Sequence, residues 1–383
     1  MNDIEVSVVM PCLNEEETIG ICVNKAFRTL AEMGCTGEVI VSDNGSTDRS
    51  IEIAKSLGAK VVFQNKKGYG NAYLKGFEAV SGRYVVMGDS DDSYDFTDLK
   101  RFVEPLRNDY DMVMGTRLKG EIKPGAMPWL HRYVGNPFLS GFLNMLFHTG
   151  ISDAHCGMRS FTREALEKMC LKTAGMEFAS EMVINASKAG LKIKEIPITL
   201  HKDGRTGKPH LKSFRDGWRH LRFMMLYSPE FFFLAPASIF FLAGMLIILW
   251  IFFGEPRVGH VNFGLNTMTM GCFSIFLGLQ AFMSSIMIKL YYCQRNPLFS
   301  LDRISRKFKE IITFDSGIVA GALFILTGVF LDFQVIMQWY GTGYRDLALE
   351  SVKYALLGMT FMVIGVQIFF FTFMVSVIKD SEK

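Results

Sequence analysis

The sequence predicts an α/β domain, an open parallel sheet with flanking helices, followed by an α-helical membrane domain of four spans. Three observations predict it. Short β-rich runs alternate with helical periodicity in the first half. The carboxylates able to do chemistry lie almost entirely before residue 230, and long uncharged stretches rich in Phe, Leu, Ile, Met and Gly follow. With 49% hydrophobic and 21% charged residues in 383, the chain is too apolar for an ordinary soluble protein, so two unlike parts are expected.

In the first part, residues 6–10 and 38–42 read as strands, with a helix over 18–33 between them. Strands at 61–63 and 84–87, separated by a helix over 70–80, repeat the pattern. Polar clusters follow the strands: Pro11-Cys12-Leu13-Asn14-Glu15, Asp43-Asn44-Gly45-Ser46-Thr47-Asp48 and Asp89-Ser90-Asp91-Asp92. Ligands of such sheets bind beyond the carboxyl ends of the strands. Three acidic clusters converging there are a costly concentration of charge unless a cation or hydrogen-bonding ligand sits among them. The D-x-D form of the last suits a hard divalent ion, Mg²⁺ or Mn²⁺, carrying a diphosphate.

In the second part, residues 231–254 and 264–288 contain no charge and are each long enough to cross a bilayer, which takes roughly 20 residues of helix. Residues 354–378 are also uncharged, and 316–340 carries only Asp332, placed near its distal end and an interface. Lys289, Arg295, Arg303, Arg306, Lys307 and Lys309 make the loop at 289–310 basic, which predicts a cytoplasmic loop, cytoplasmic termini and a cytoplasmic N-terminal domain. Residues 1–17 lack a basic start and a small-residue cleavage site, so no secretory signal is expected. Before the first span, Phe214, Trp218, Leu221 and Met225 share one helical face and Arg215, Arg219 and Arg222 another. This segment reads as an interfacial helix or as a helix packed on the soluble core. The expected domains are 1–210, the interfacial helix 211–230 and the membrane domain 231–383.

The seven cysteines show no C-x-x-C pairing and no clustering with histidine, which argues against zinc and against a disulfide frame. A net charge of +3 says little globally, because the basic residues are concentrated in a few segments, and no nucleic-acid partner is expected.

Taken together, Val-Val-Met-Pro-Cys-Leu-Asn-Glu at 8–15, Val-Ser-Asp-Asn-Gly-Ser-Thr-Asp at 41–48, Lys-Gly-Tyr-Gly-Asn-Ala at 67–72 and Met-Gly-Asp-Ser-Asp at 87–91 resemble family 2 glycosyltransferases of the GT-A fold, a Rossmann-like open sheet. The resemblance spans roughly residues 4–205. Gly115-Thr116-Arg117, Cys156-Gly157-Met158-Arg159 and the C-terminal anchor make it most similar to the polyprenyl-phosphate branch, which includes dolichol-phosphate mannose synthases and bacterial glucosyl equivalents. The resemblance implies that Pro11, Asn14, Glu15, Asp43, Asn44 and Asp89 bind the nucleotide-sugar, that Asp91 and Asp89 hold the metal, and that Arg117 neutralises phosphate charge. Ser93 stands where relatives usually carry Gln as a further metal ligand.

The implied reaction is inverting transfer of one hexosyl residue from a nucleotide-diphosphate sugar to polyprenyl phosphate, which needs no strong general base because the acceptor is already an anion. Arg117, Arg132, Arg205 and Lys212 are candidates for the acceptor-phosphate seat. Arg132 also reads as a solvated helix residue, and the Asp203-Gly204-Arg205-Thr206-Gly207-Lys208 loop as lid or linker. Glu177 and Glu181 suit either a sugar contact or base, or a structural helix start. Asp153 and Arg159 suit a buried strut. Rival functions are transfer to a hydroxyl acceptor, a processive synthase, for which no Q-x-x-R-W motif is found, and an inactive regulator or lipid-handling protein. The implied partners are a nucleotide-sugar, a polyprenyl phosphate and the plasma membrane of a prokaryote, with self-association into a homo-oligomer left open.

Overall fold

The structure, a computed structural model, describes residues 4–205, 213–254, 257–258, 260–295, 298, 303–311 and 313–380. The chain forms two compact units, Met1–Leu226 and Tyr227–Lys383.

In chain order the first unit holds β1 (Val6–Cys12), α1 (Ile19–Glu32), β2 (Gly37–Asp43), α2 (Ser50–Ser56), β3 (Lys60–Phe63), α3 (Tyr69–Glu78), β4 (Tyr84–Met87), α4 (Leu99–Arg107), β5 (Met112–Ile122), α5 (Asn136–Phe147), β6 (Arg159–Thr162), α6 (Arg163–Met169), α7 (Phe178–Lys188), β7 (Ile193–Leu200) and α8 (Ser213–Tyr227). The strands form one sheet in the order β3-β2-β1-β4-β6-β5-β7. Val6, Val8, Val9 and Met10 of β1 are all buried, the continuous apolar run required of a strand covered on both faces. In α1, Ile19, Cys22, Val23, Ala26 and Leu30 recur at three- and four-residue spacing and are buried against that sheet.

The expected parallel arrangement holds for β1 to β4, and β5 pairs parallel with β7. It is corrected at β6, which runs antiparallel to β4 and β5. The reason lies in the route of the chain: Arg159, the first residue of β6, pairs with Met87, the last of β4, so the chain enters this strand from the carboxyl-end side. β1 and β4 are neighbours while the chain runs outward from β1 through β2 and β3 on the other side, which makes their carboxyl ends the place where strand order reverses. The polar clusters sit there.

The second unit contains α9 (Ala235–Phe253), α10 (Leu265–Arg295), α11 (Arg303–Ile311), α12 (Phe314–Gly341) and α13 (Leu349–Asp380). Among the described residues, four helices are long and apolar enough to cross a membrane: Phe231–Phe253, Leu265–Gln294, Phe314–Gly341 and Leu349–Asp380. These are the four expected spans, and the chain is a membrane protein. In lipid, helices gain little from hydrophobicity and pack through small residues that let backbones approach. Thus Gly321 lies against the backbone of Gly365 and Gly328 against that of Gly358 between α12 and α13, while Gly244 and Gly271 meet between α9 and α10. A Cβ on Gly328 would run into the Gly358 carbonyl and Met362. Gly328→Val is therefore expected to part α12 from α13 and cost about 1–3 kcal/mol, as overpacking does. The measurement is thermal unfolding in detergent, with Gly341→Val, where nothing lies within 4 Å, as the silent control.

Candidate active site

The crevice is built from three turns tied to one another. After β1, Asn14 takes a left-handed backbone (φ 56°), and its Oδ1 accepts from the Thr47 amide at 2.8 Å. The Glu15 amide donates to Ser50 Oγ at 2.7 Å. After β4, Ser90 Oγ donates to the carbonyl of Pro11 at 2.6 Å. Residues the sequence separates by more than 30 positions are thus brought to one place.

Asp43 and Asn44 shape the β2 turn. Asp43 accepts from the amides of Gly45 at 3.0 Å and Ser46 at 3.1 Å, and Asn44 bridges to the carbonyls of Gln64 and Lys66 and the Gly68 amide. Both are buried.

The D-x-D aspartates have different surroundings. Asp89 Oδ1 accepts from Tyr69 at 2.9 Å and Tyr73 at 3.2 Å, and burial, reinforced by the charge of Asp91, pushes its carboxyl up to about 6. Asp91 accepts from the Ser93 amide at 3.1 Å and Ser93 Oγ at 2.5 Å through Oδ1. Its Oδ2 faces Arg205 Nη2, and Arg205 Nη1 lies 3.3 Å from Glu15 Oε1. Burial raises Glu15 to about 7 against the pull of Arg205. Asp92 turns away, pairing with Lys25 at 2.8 Å.

Arg205 reaches these carboxylates because the strap after β7 is stitched to the D-x-D turn: the His201 amide donates to the Ser93 carbonyl at 2.9 Å and that of Gly204 to Asp91 at 3.0 Å. The 201–205 segment is therefore fastened to the D-x-D turn. Thr206, Gly207, Lys208 and Lys212 lie outside the described residues.

Arg117 donates through Nε and Nη2 to both oxygens of Asp153, each at 2.8 Å, and Asp153 also accepts from the Arg117 amide at 3.0 Å. Burial would raise Asp153, but the charge and hydrogen bonds of Arg117 hold it below the usual carboxylate range. The strut expected between Asp153 and Arg159 is corrected accordingly. Arg159 is fully buried and donates to the carbonyls of Cys156, Ala179 and Ala154 at 2.8–2.9 Å, because the carboxylate nearest to it is already taken by Arg117. Glu181 accepts from the amides of Lys172 and Thr173 and from Thr173 Oγ1, and so holds that loop.

Arg132 stacks over Tyr133, its guanidinium 5.3 Å from the ring centroid, on a π-helical turn at His131–Gly135. His131 is pushed down by burial and then by the charge of Arg117. Around it the sequence reading missed an apolar face: Trp129, Leu130, Tyr133, Val134 and Phe138 are 42–68% exposed. The signal was legible as apolar residues at four-residue spacing, Trp129 with Tyr133 and Leu130 with Val134 and Phe138. On α8, Phe214 (86% exposed) and Trp218 (57%) also face outward, while Asp216, His220, Phe223 and Met224 are buried.

The description "Glycosyl transferase family 2" matches residues 7–170, and "Glycosyltransferase family 2 C-terminal transmembrane region" matches 286–379. The low-salt glycan biosynthesis hexosyltransferase of Haloferax volcanii is 40% identical over 371 residues, covering 96% of this chain and 88% of its own length. The chain is a family 2 glycosyltransferase. A dolichyl-phosphate hexose transferase of the same organism is 33% identical over 218 residues, 56% of this chain and 89% of that protein. Crystal structures of glucosyl-3-phosphoglycerate synthase from Mycobacterium tuberculosis overlie 59% of this chain and 80% of theirs, at a TM-score of 0.48 and 22% identity.

The glycosyltransferase crevice offers hard oxygen donors: the carboxylates of Asp91, Asp89 and Glu15 and the hydroxyl of Ser93. Among the described residues no three carboxylate, imidazole or thiol groups converge into a complete cage. That donor set fits Mg²⁺ or Mn²⁺, which bind through one or two carboxylates and take their other oxygens from phosphate and water. The guanidinium of Arg205 between Asp91 and Glu15 shows that the place accepts positive charge. Gly157 keeps the wall open: a Cβ there would stand 2.7 Å from Asp89 Oδ2 and 2.9 Å from the Tyr94 ring. Gly157→Ala in the transferase is expected to push Asp89 off its tyrosines and lower kcat about tenfold or more with the fold retained, checked by steady-state kinetics beside circular dichroism.

Proposed function

We propose that this transferase moves one hexosyl residue from a nucleotide-diphosphate sugar, such as UDP-glucose, GDP-mannose or a UDP-N-acetylhexosamine, to polyprenyl phosphate, dolichyl or undecaprenyl, with inversion at the anomeric carbon. The observation that carries this reading is that one unit carries both an exposed apolar face, Trp129, Leu130, Tyr133, Val134 and Phe138, and a buried Arg117 whose charge is felt at His131 on the same turn. An acceptor that is apolar along its chain and anionic at its head suits such a combination. The name of the dolichyl-phosphate hexose transferase relative adds support.

In the proposed step a phosphate oxygen of the acceptor attacks the anomeric carbon as its bond to the leaving diphosphate breaks, and the nucleoside diphosphate departs with the electron pair. The nucleophile is already deprotonated, so no base is needed. Glu181, the carboxylate that would serve a hydroxyl acceptor, is occupied by the 172–173 loop, which disfavours that rival. Asp91, Asp89 and Ser93 would hold Mg²⁺ or Mn²⁺, which when bound supplies charge neutralisation to the leaving diphosphate. Pro11, Asn14, Glu15, Asp43 and Asn44 line the nucleotide side, and Asp43 and Asn44 keep its walls rigid. Arg117, Arg132 and Arg205 provide positive charge so that two anions can approach. The basic 289–310 segment favours a cytoplasmic catalytic unit, with α8 and its exposed Phe214 and Trp218 at the bilayer surface.

The test is incubation of the purified protein with Mn²⁺, polyprenyl phosphate and a panel of nucleotide-sugars, identifying lipid products by mass. A hexosyl phospholipid formed with one donor, and lost on adding EDTA, is the expected result. Sugar appearing on a hydroxyl acceptor with no lipid-linked product from any donor would overturn the proposal.

A further inference from the structure

Away from the acidic crevice, three polar side chains meet inside the first unit. His155 Nε2 lies 3.1 Å from Ser180 Oγ, and Ser180 Oγ lies 2.8 Å from His220 Nδ1. The imidazoles cross edge to face with centroids 4.4 Å apart. Ser180 is fully buried and His220 is 6% exposed. The three come from separate elements: His155 from the loop between α5 and β6, Ser180 from α7 and His220 from α8.

The network has a direction. His155 Nδ1 is buried with no partner among the described residues. A proton there would be an orphaned buried donor, the rarer arrangement in folded proteins. The proton therefore sits on Nε2, so His155 donates to Ser180, and the Ser180 hydroxyl then donates to His220 Nδ1. Both rings stay neutral. Burial, then His220 and the charges of Arg159 and Arg117, hold His155 well below the usual histidine range, and burial, opposed by Asp216, takes His220 down to about 4.

Such a network adds little net stability, since each hydrogen bond replaces one with water. It fixes orientation instead, because a satisfied buried network has one geometry. Phe223 and Met224 of α8 are buried as well, and apolar burial, being non-directional, fixes no register. What the register serves is set by the loop: Asp153, two residues before His155, holds Arg117, and the carbonyls of Ala154 and Cys156 on either side are fixed by Arg159.

We propose that His155, Ser180 and His220 form a directional hydrogen-bond clasp through which α8, the helix leading to the membrane unit, positions the 152–158 loop and with it the Asp153–Arg117 pair. They are positioning residues. That the pair serves an acceptor phosphate rests on the proposed function, whereas the clasp rests on the geometry alone.

The experiment uses the full chain in lipid nanodiscs, comparing wild type with Ser180→Ala, with His220→Phe, which removes the acceptor, and with His220→Asn, whose amide oxygen takes the place of Nδ1. Amide hydrogen exchange over 152–158 is expected to quicken about tenfold in Ser180→Ala and His220→Phe and to stay near wild type in His220→Asn. Nitrogen-15 spectra of the wild type are expected to show His155 protonated at Nε2. In the transfer assay the KM for polyprenyl phosphate is expected to rise several-fold in the first two variants, with the KM for nucleotide-sugar unchanged. Unaltered exchange at 152–158 in all three variants, or a proton on His155 Nδ1, would overturn the clasp. A wild type that transfers nothing to polyprenyl phosphate would overturn the proposed function instead, leaving the exchange and tautomer readings to decide the clasp.

Discussion

Asp91→Asn is expected to lower transfer by about 10²–10³-fold or more, on the scale of losing a preorganised charge contact, while the protein still folds. The amide is nearly isosteric, and its oxygen can still accept from the amide and hydroxyl of Ser93, so the turn keeps its shape. What disappears is the negative charge that faces Arg205 and would face a divalent ion. Glu15 remains as a partner for Arg205 and keeps the 201–205 strap in place. The measurement pairs lipid-product yield with a thermal melt. Activity within tenfold of wild type in a well-folded variant would move the cation seat away from Asp91.

The second large effect falls on stability. Arg117→Ala is expected to cost about 3–5 kcal/mol of folding free energy, because it leaves the carboxylate of Asp153 buried without its bidentate partner. A surface arginine touching only substrate phosphate would instead cost about 2–3 kcal/mol of binding and nothing in stability. Denaturant titration in detergent separates the two. The double variant Arg117→Met with Asp153→Leu removes the charge pair together and is expected to recover most of the lost stability, since buried ion pairs exchange for apolar pairs at little cost. If that variant folds and transfers at the wild-type rate, Arg117 has no part in the reaction.

Much of this was legible beforehand because it is local. Strand–helix alternation placed β1, β2, β3 and β4 and their polar turns within a few residues, and uncharged stretches placed the four spans. The basic, Gly-containing run at 203–208 announced a segment of interest, but only the His201 and Gly204 backbone bonds show that residues 201–205 are strapped onto the D-x-D turn. The antiparallel β6 was hidden because direction in a sheet depends on where the chain re-enters, which no four-residue pattern encodes. The apolar face at 129–138 was overlooked because an amphipathic pattern does not reveal which side is left uncovered.

By itself the sequence determined the two-part organisation, the open sheet, the membrane spans and the acidic crevice of a family 2 glycosyltransferase, since these follow from periodicity, charge and residues adjacent along the chain. Only the tertiary structure decided the pairings: Asp153 with Arg117 rather than Arg159, Glu181 with the 172–173 loop, Arg205 with Asp91 and Glu15, and His155 with Ser180 and His220. The physical reason is that a buried charge or donor takes whichever partner packing brings within about 3 Å, and packing joins residues that lie far apart in the chain.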